Sequence, residues 1–453
     1  MYQRAFNWTL TLLGALVLYP VAPANTAERA YVALENAASV AVVDIKSGGV
    51  IEKIPVGPLP RFVTASRDGS IVVVINEGDQ TVSVISARSN TVIETLNLAE
   101  ILPQLSAEQL ANSGAAGTMV EGMPEMDSGE LDALSGMMDE NRGLGGWTGS
   151  GLITNAEIAI SADGSELYFP DQLFGLTAYD RRTGESRTFG SQPGNPLTIS
   201  NQLGVIRLDN EGGRVLIPSY NSVTLFDVEN LTPGSIVETR GFLSRPAFEI
   251  THDGRRVITP PSFNIGSANV SVEMEITDLN TFDYRRVEVT GSAPMRKRPS
   301  GQPAIPEYRG IWETADTELS PDDAIFYAVR SYSALGGTPR LGGGGLGEIG
   351  AFDIDSGLTL AMVDLDIEVF GLQTFGGGDY LALVHPAGNR IDVRDARSLA
   401  LIRSISVGTT PRGGQNFIIN VNASEEGVDV IPPASSPVAG DESSTAPAGG
   451  IKF

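Results

Sequence analysis

The sequence predicts an all-β protein built from repeated units, and three observations support this prediction. Residues 61–98 contain four short runs rich in Val, Ile and Thr, residue types that favour pleated, half-buried strands. Turn signals separate these runs, with Asp-Gly at 68–69, Gly-Asp at 78–79 and Ser-Asn at 89–90. The same arrangement recurs along the chain. One four-stranded antiparallel sheet cannot bury both of its faces, so it needs neighbours of the same kind.

The repeats are predicted to close into a ring. Residues 30–57 contain the second, third and fourth strands of a unit but lack the first, and the complete unit 61–98 follows. Residues 411–420 supply one further first strand, which matches the strand missing at the N-terminus. We therefore predict a seven-bladed β-propeller of four-stranded antiparallel blades, closed by pairing of the C-terminal strand with the N-terminal blade. The remaining copies are predicted to begin near Asn155, Leu203, Pro246, Trp312 and Gly371.

Both ends of the chain are predicted to lie outside the propeller. Residues 1–27 are predicted to be a signal peptide, since Arg4 precedes an apolar run at 10–21 and an Ala-Pro-Ala sequence ending at Ala24, with cleavage there or after Ala27. The propeller then covers 28–422 and carries a Met-rich acidic insertion at 99–154. The Pro-, Ser-, Ala- and Gly-rich tail, 423–453, is predicted to be disordered. We expect a periplasmic or secreted protein that is not an integral membrane protein after cleavage.

The amino-acid composition argues against several classes of partner and of chemistry. The 453 residues carry a net charge of −24 and a pI near 4.4, which argues against nucleic acid and anionic membrane surfaces as partners. The absence of Cys excludes disulfides and thiolate nucleophiles, and His252 and His385 are the only histidines. No nucleophile elbow, paired catalytic acid motif or nucleotide fingerprint occurs. The sequence thus predicts no catalytic residue and no cofactor.

Two stretches carry a resemblance to a known family. The segment AYVALENAASVAVVDIKSGGVIEKIPVG, at 30–57, and VVVINEGDQTVSVISARSNTVIETL, at 72–96, resemble the YVTN family of β-propeller repeats. The resemblance implies an exported propeller, a kind often without a defined reaction. More distant proteins of similar architecture include the methylamine dehydrogenase heavy chain and haem d1 domains, so the fold alone does not define the function.

The longest irregular segments are predicted to lie on one face of the ring, at 99–154, 260–269, 290–310 and 331–348. Four arginines stand just before first strands and would lie near the channel mouth on this face. Such a cationic collar suits a carboxylate or phosphate through bidentate hydrogen bonds. The alternative is that each arginine pairs with a neighbouring Asp or Glu. The four are Arg61, Arg245, Arg309 and Arg412.

Two further candidates fall on the same face. His385 follows a second strand and is a candidate ligand-binding residue, either as a haem ligand or as a general base, with a structural role as the alternative. Met119, Met123 and Met126 are weak candidates for a copper site, because thioethers suit Cu(I). An adaptable docking segment is the other interpretation of these methionines.

The leading functional hypothesis is an exported, non-catalytic binding module for a protein partner or a small anionic ligand, on the face with the long loops. The alternative is a cofactor-free propeller subunit of a periplasmic oxidoreductase, similar to an amine dehydrogenase heavy chain. A metal-dependent lactonase-type hydrolase is a third possibility, which the scarcity of His and of inward-facing Glu disfavours.

Overall fold

The computed structural model describes residues 26–102, 158–171, 175–189, 206–209, 213–219, 222–229, 232–238, 248–264, 271–290, 312–332, 347–365, 369–413 and 417–422. The chain forms seven antiparallel sheets, which are the blades of a β-propeller, as the sequence predicts. We number the blades 1 to 7 in chain order. In each blade the first strand lies innermost, against the central channel, and the fourth strand lies at the outer edge.

The strands of the first half of the ring follow the predicted spacing. Blade 1 contains β1 (Thr26–Leu34), β2 (Ser39–Asp44) and β3 (Gly49–Pro55). Blade 2 contains β4 (Pro60–Ala65), β5 (Ile71–Asn76), β6 (Thr81–Ser86) and β7 (Thr91–Asn97), followed by the short helix α1 (Leu98–Ile101). Blade 3 contains β8 (Ala159–Ile160), β9 (Glu166–Asp171), β10 (Gly175–Asp180) and β11 (Glu185–Phe189). Blade 4 contains β12 (Arg207–Leu208), β13 (Arg214–Ser219), β14 (Ser222–Asp227) and β15 (Thr232–Glu238).

The second half completes the ring. Blade 5 contains β16 (Glu249–Ile250), β17 (Arg256–Ile258), β18 (Ser262–Asn264), β19 (Ser271–Asp278) and β20 (Tyr284–Glu288). Blade 6 contains β21 (Trp312–Leu319), β22 (Ile325–Tyr332), β23 (Gly347–Asp353) and β24 (Thr359–Leu365). Blade 7 contains β25 (Leu372–Phe375), β26 (Tyr380–His385), β27 (Arg390–Asp395) and β28 (Leu401–Ser406). The last strands, β29 (Pro411–Arg412) and β30 (Ile418–Asn422), return to blade 1.

Pairing at the two ends of the chain closes the ring. β29 pairs with β1 at Ala33↔Arg412, and β30 pairs with it from Thr26↔Asn422 to Ala30↔Ile418. The first strand of blade 1 therefore comes from the C-terminal end, as predicted, although it forms as two short strands rather than one. β1 begins at Thr26, so its first two residues belong to the predicted signal peptide.

One predicted loop is shorter than the sequence suggested. The segment 260–269 of blade 5 was expected to be irregular, but Ser262–Asn264 form β18 and pair with β19. The prolines at 260 and 261 separate β17 from β18, because proline has no N–H to donate to the neighbouring strand. The second strand of blade 5 is thus interrupted rather than absent.

Alternating strand directions give the ring two different faces. The face that carries the turns between first and second strands, and between third and fourth strands, is called the turn face. The opposite face carries the connections between second and third strands and the links to the next blade, and is called the loop face. Residues 103–157, which hold most of the predicted Met-rich insertion, lie outside the described residues, and so does the tail 423–453.

A repeated motif builds the turn face. In blades 2, 3, 5 and 6 a Ser or Thr hydroxyl donates to the Asp two residues later and accepts the backbone N–H five residues later. Ser66, for example, donates to Asp68 Oδ1 at 2.6 Å and accepts from Ile71 N at 3.0 Å. The glycine after the Asp has a positive φ in three of these turns, at Gly69, Gly164 and Gly254.

These turns also connect neighbouring blades. The N–H of Asp68 donates to Ala162 O of the next blade, and Arg214 Nη2 donates to Gly254 O. The backbone N–H of His252 donates to the Asp323 carboxylate, whose Oδ1 also lies 2.6 Å from Nδ1 of the same histidine. The turn face is therefore cross-linked around much of the ring.

The hydrophobic core lies between blades. Separate apolar clusters fill the spaces between consecutive sheets, and the largest one joins blades 7, 1 and 2 around residues such as Val42, Val74 and Val384. The middle strands are buried on both sides, whereas the outer strand β3 buries only Ile54. In the described part of the chain, no helix is long and apolar enough to cross a membrane.

Candidate functional site

A network of charges at the channel mouth on the loop face joins consecutive blades. Arg412 of β29 and Arg61 of β4 both contact the carboxylate of Glu35, which follows β1. Arg412 Nε lies 2.8 Å from Glu35 Oε2, and Arg61 Nη2 lies 3.3 Å from Oε1. Arg61 Nε also lies 2.7 Å from Oε2 of Glu77, just after β5. These four residues, together with Phe370 of blade 7, are called the mouth network.

Blade 7 also contacts the Arg412 side chain, through Phe370. The guanidinium carbon lies 4.4 Å from the centroid of the Phe370 ring, a geometry that favours cation–π attraction. The backbone next to this ring approaches blade 1 closely, because a Cβ on either Gly371 or Gly413 would lie 2.8 Å from the Cα of the other. Gly413 N also donates to Phe370 O at 3.0 Å. The position of Arg412 is thus fixed by two blades at once.

The two arginines differ in the number of carboxylates that they contact. Arg61 contacts two carboxylates, Glu35 and Glu77, through different nitrogens. Arg412 has a single carboxylate contact among the described residues, which is Glu35 on Nε. Its side chain is 18% exposed. The Nη edge of Arg412 is therefore the part of the network best suited to a bidentate contact with an added anion.

The predicted collar is only partly within the described residues. Arg61 and Arg412 come together, as the collar requires, but each is bound to a carboxylate, which is the alternative that the sequence left open. The other two collar residues, Arg245 and Arg309, lie outside the described residues. The copper candidates Met119, Met123 and Met126 lie outside them as well.

His385 is placed inside blade 7 and away from solvent. It is the last residue of β26, its side chain is completely buried, and its Nε2 lies 3.1 Å from Asp392 Oδ2. Asp392 also accepts from Arg390 Nε at 2.9 Å and from the Ser404 hydroxyl at 2.6 Å. Burial by itself raises the pKa of Asp392, but the hydrogen bonds from these three side chains hold it well below its ordinary value. The cluster fits a structural role for His385.

The channel wall contains acidic residues that the sequence interpretation did not single out. Glu249 of β16 accepts a hydrogen bond from the Thr317 hydroxyl at 2.7 Å and from Arg207 Nη2 at 3.2 Å. Glu318 of β21 accepts from both the backbone N–H and the hydroxyl of Thr374, at 3.1 and 2.8 Å. These residues lie on the innermost strands of four consecutive blades, 4 to 7.

The carboxyl group of Glu318 has a raised pKa. Desolvation by the surrounding protein and the nearby charge of Glu249 raise its pKa to about 8, although the hydrogen bonds from Thr374 act in the opposite direction. This carboxyl therefore keeps its proton to a higher pH than an ordinary glutamate does. The sequence signal for this site was weak: one Glu in β16 and two in β21, Glu313 and Glu318, with nothing to show that the two strands are neighbours.

The wall residues do not form a metal site. Across the residues described, no group of three or more His, Cys, Asp or Glu side chains is arranged to hold a metal ion. Glu249 and Glu318 instead join the innermost strands of adjacent blades. Their contacts are with Thr and Arg side chains of neighbouring blades.

Comparison with known proteins supports the fold and leaves the function open. No family model matches the sequence, and no curated protein matches it. A functionally unknown protein from Desulfotomaculum acetoxidans is similar in structure, with a TM-score of 0.50 and 12% identity over 86% of this chain and 98% of that chain.

Two enzyme structures are also similar in fold. Hydrazine synthase from Kuenenia stuttgartiensis aligns with a TM-score of 0.48 and 12% identity, over 81% of this chain and 96% of that chain. The dihydro-heme d1 dehydrogenase NirN, in complex with DHE, aligns with a TM-score of 0.44 and 11% identity, over 87% of this chain and 66% of that chain. At these identities the likeness concerns the fold alone.

Proposed function

We propose that this protein is an exported, non-catalytic binding module that holds a carboxylate- or phosphate-bearing ligand at the channel mouth. Arg412 is the anchoring cation in this proposal, and Arg61 has a supporting role. The ligand is either a small anion or an acidic side chain or terminus of a protein partner. The alternative role, as a propeller subunit of a periplasmic oxidoreductase, stays a prediction from the sequence.

The observation that carries the proposal is the way in which Arg412 is held. Glu35 fixes the guanidinium through Nε and Phe370 supports it through its ring, so little side-chain entropy is lost when an anion binds. An anion would bind through the two Nη nitrogens, which together offer the bidentate geometry that arginine prefers. Because the site lies on the same face as the predicted long loops, it is positioned for contact with a partner.

Replacement of Arg412 tests the proposal directly. Calorimetric titration of the purified protein with succinate and with inorganic phosphate should detect binding, and Arg412→Ala should weaken it by about 1.5–3 kcal/mol, the usual contribution of a charged hydrogen bond. Arg412→Lys should retain part of the affinity, because lysine keeps the charge but loses the bidentate fork. Arg397→Ala, an exposed arginine on the turn face of blade 7, is the matched control and should leave binding unchanged.

A second variant separates ligand binding from structural pairing. Glu35→Gln removes the carboxylate that competes with an added anion while keeping a similar shape, so anion affinity should rise. Absence of binding in both the wild type and Glu35→Gln at millimolar anion would show that the mouth network serves only to join blades. Thermal unfolding of each variant shows whether the fold is retained.

Export is the second part of the proposal. The predicted signal peptide supports it, and cleavage after Ala24 would leave β1 intact, whereas cleavage after Ala27 would remove the residues that pair with Asn422 and Val421. N-terminal sequencing of protein from the cell envelope should therefore give a first residue of Asn25. A cytoplasmic protein with an intact Met1 would contradict export.

A further inference from the structure

The charged residues of the mouth network form a row of alternating sign. Arg412 contacts Glu35 at 2.8 Å, and Glu35 contacts Arg61 at 3.3 Å. Arg61 in turn contacts Glu77 at 2.7 Å. The two inner members are each used twice, because Glu35 accepts through both carboxylate oxygens and Arg61 donates through both Nη2 and Nε. A positive group therefore lies at one end of the row and a negative group at the other.

The two end groups keep part of their hydrogen-bonding capacity. Within the described residues, the Arg412 guanidinium contacts a carboxylate through Nε and through neither Nη nitrogen. In the same part of the chain, the Glu77 carboxylate contacts Arg61 through Oε2 and accepts no hydrogen bond through Oε1. The two side chains are 18% and 19% exposed. The network thus offers donors at one end and an acceptor at the other.

The backbone at both ends is held by neighbouring connections. The N–H of Glu77 donates to Leu59 O at 3.0 Å, in the link between blades 1 and 2. Thr410, just before β29, donates through its N–H to Asn389 Oδ1 and accepts from Asn36 Nδ2 through its hydroxyl, both at 2.7 Å. Leu59 and Thr410 have positive φ values of +50° and +46°, which are uncommon outside glycine and cluster at ligand sites. Both ends are therefore positioned before a ligand binds, which lowers the entropy cost of binding.

The formal charges of the network cancel, since two arginines face two glutamates. The protein as a whole carries a net charge of −24, so a ligand with a net negative charge is repelled over a long range. A zwitterion meets no such net repulsion. Its carboxylate suits the Arg412 guanidinium, and its ammonium group suits the Glu77 carboxylate. The network therefore favours a ligand with both charges over one with a carboxylate alone.

The length of the row limits the distance between the two charges of such a ligand. Laid end to end, the three contacts and the two groups between them place Glu77 Oε2 within about 13 Å of Arg412 Nε. An extended peptide spans at most about 3.5 Å per residue. An amino acid or a peptide of two or three residues falls within this limit.

From the alternating charges and the two end groups we propose that the ligand of the mouth network is a zwitterion, namely an amino acid or a short peptide with free ends. Its carboxylate binds the Nη edge of Arg412, and its ammonium group binds Oε1 of Glu77. This inference rests on the proposed function, because Arg412 still anchors a carboxylate. It adds Glu77 as the residue that selects a ligand with an ammonium group.

Three forms of one peptide test this ligand class. Calorimetric titration of the wild-type protein compares triglycine with N-acetyltriglycine, which lacks the ammonium group, and with triglycine amide, which lacks the carboxylate. Triglycine should bind at least about tenfold more tightly than either blocked form, as expected for one additional charged hydrogen bond. Equal affinities for triglycine and N-acetyltriglycine would overturn the proposal.

Replacement of Glu77 tests which residue binds the ammonium group. Glu77→Gln should abolish the preference for triglycine over N-acetyltriglycine, because the amide carries no charge. Asp79→Asn is the matched control: it removes a carboxylate from the same connection between β5 and β6, where Asp79 contacts Thr81, and should keep the preference. A preference that persists in Glu77→Gln contradicts the assignment. Thermal unfolding checks that each variant is folded, and the comparison of the three peptides in the wild type does not depend on either variant.

The same titrations separate this inference from the proposed function. Binding of succinate or N-acetyltriglycine without an advantage for triglycine would leave the anion site at Arg412 in place and remove only the zwitterion. Absence of binding by succinate, phosphate and all three peptides at millimolar concentration would remove both.

Discussion

The two faces of the ring are built in different ways. On the turn face, one motif of a hydroxyl, a carboxylate and a glycine recurs in several blades and contacts the next blade. On the loop face, equivalent positions carry different residues in each blade. Blade 2 ends its second strand with Asn76, whose amide donates to Thr81 and Ser83, while blade 7 has His385, Arg390 and Asp392 at the matching places.

The turn face therefore serves as the scaffold, whereas the candidate site lies on the loop face. A motif that repeats around the ring fixes the spacing of blades and leaves little variation for binding. Residues that do not repeat create local differences on the loop face, such as the cations of the mouth network in blades 1 and 2. We therefore expect substitutions on the two faces to differ in kind, with the turn face affecting stability through backbone geometry and the loop face through buried charge.

The largest effect is expected at Asp392. Its carboxylate contacts Arg390, His385 and Ser404 inside blade 7, so Asp392→Ala leaves these side chains without their shared acceptor. Removal of one partner from a buried charged cluster costs about 3–5 kcal/mol. Chemical denaturation, followed by intrinsic fluorescence, measures the change. Because the pKa of Asp392 is lowered in the fold, its contribution is present at neutral pH and is lost as the pH falls through the acid range.

A triple variant sharpens this comparison between blades. His385→Asn/Arg390→Thr/Asp392→Ser copies the residues of blade 2 into the matching positions of blade 7. Since it replaces three members of the cluster by a set that pairs well in blade 2, and leaves only Arg394, 3.9 Å from Asp392, in place, it should lose less stability than Asp392→Ala alone. A triple variant that is less stable than the single one would show that the loop-face residues of a blade are not interchangeable as a unit.

Much of the fold could be predicted because its determinants are local. The strand bounds of blade 2 and the turn at 68–69 follow from alternation and from residues that tolerate turn geometry. Ring closure was also predictable, because a unit lacking its first strand at one end and a spare strand at the other can be matched in sequence. At the interruption of blade 5, 260–261, the sequence predicts a loop, although two prolines are also compatible with a broken strand.

The site was less predictable because its contacts are distant in sequence. Arg61 and Arg412 were found from their position before first strands, but Arg412 is 377 residues from its partner Glu35. The partners of Glu249 and Glu318 likewise lie on other blades. By contrast, His385 and Asp392 are seven residues apart across one hairpin, so a register assignment for β26 and β27 would have placed them together.

A glycine of the turn face should show the next largest effect. Gly69 has a φ of +71°, and a Cβ there would lie 2.7 Å from the backbone oxygen of Asn420 in blade 1. Gly69→Ala should therefore destabilise the protein by about 2–4 kcal/mol, through the positive φ and the backbone clash together. Gly377 is the matched control, since its φ is +69° but no atom lies within 4 Å of its Cβ position. Gly377→Ala should cost only about 1 kcal/mol, and equal losses at both sites, measured by denaturation, would remove the inter-blade contact as the cause.

The smallest effect, and the one confined to the channel, concerns Glu318. Its pKa is raised to about 8 in the fold, so between the ordinary glutamate value and pH 8 the folded protein binds a proton that the unfolded chain has released. Stability should accordingly fall as the pH rises through this range and become level above it. Glu318→Gln keeps the hydrogen bonds without the ionisable group, so it should stabilise the protein at pH 8.5 by about 1–3 kcal/mol and change little at pH 4.5. Glu52→Gln, on the exposed outer strand β3, is the control and should behave as the wild type. Parallel pH profiles for wild type and Glu318→Gln would mean that the channel carboxyl ionises as an ordinary glutamate does, and that the packing of the neighbouring blades around it does not raise its pKa.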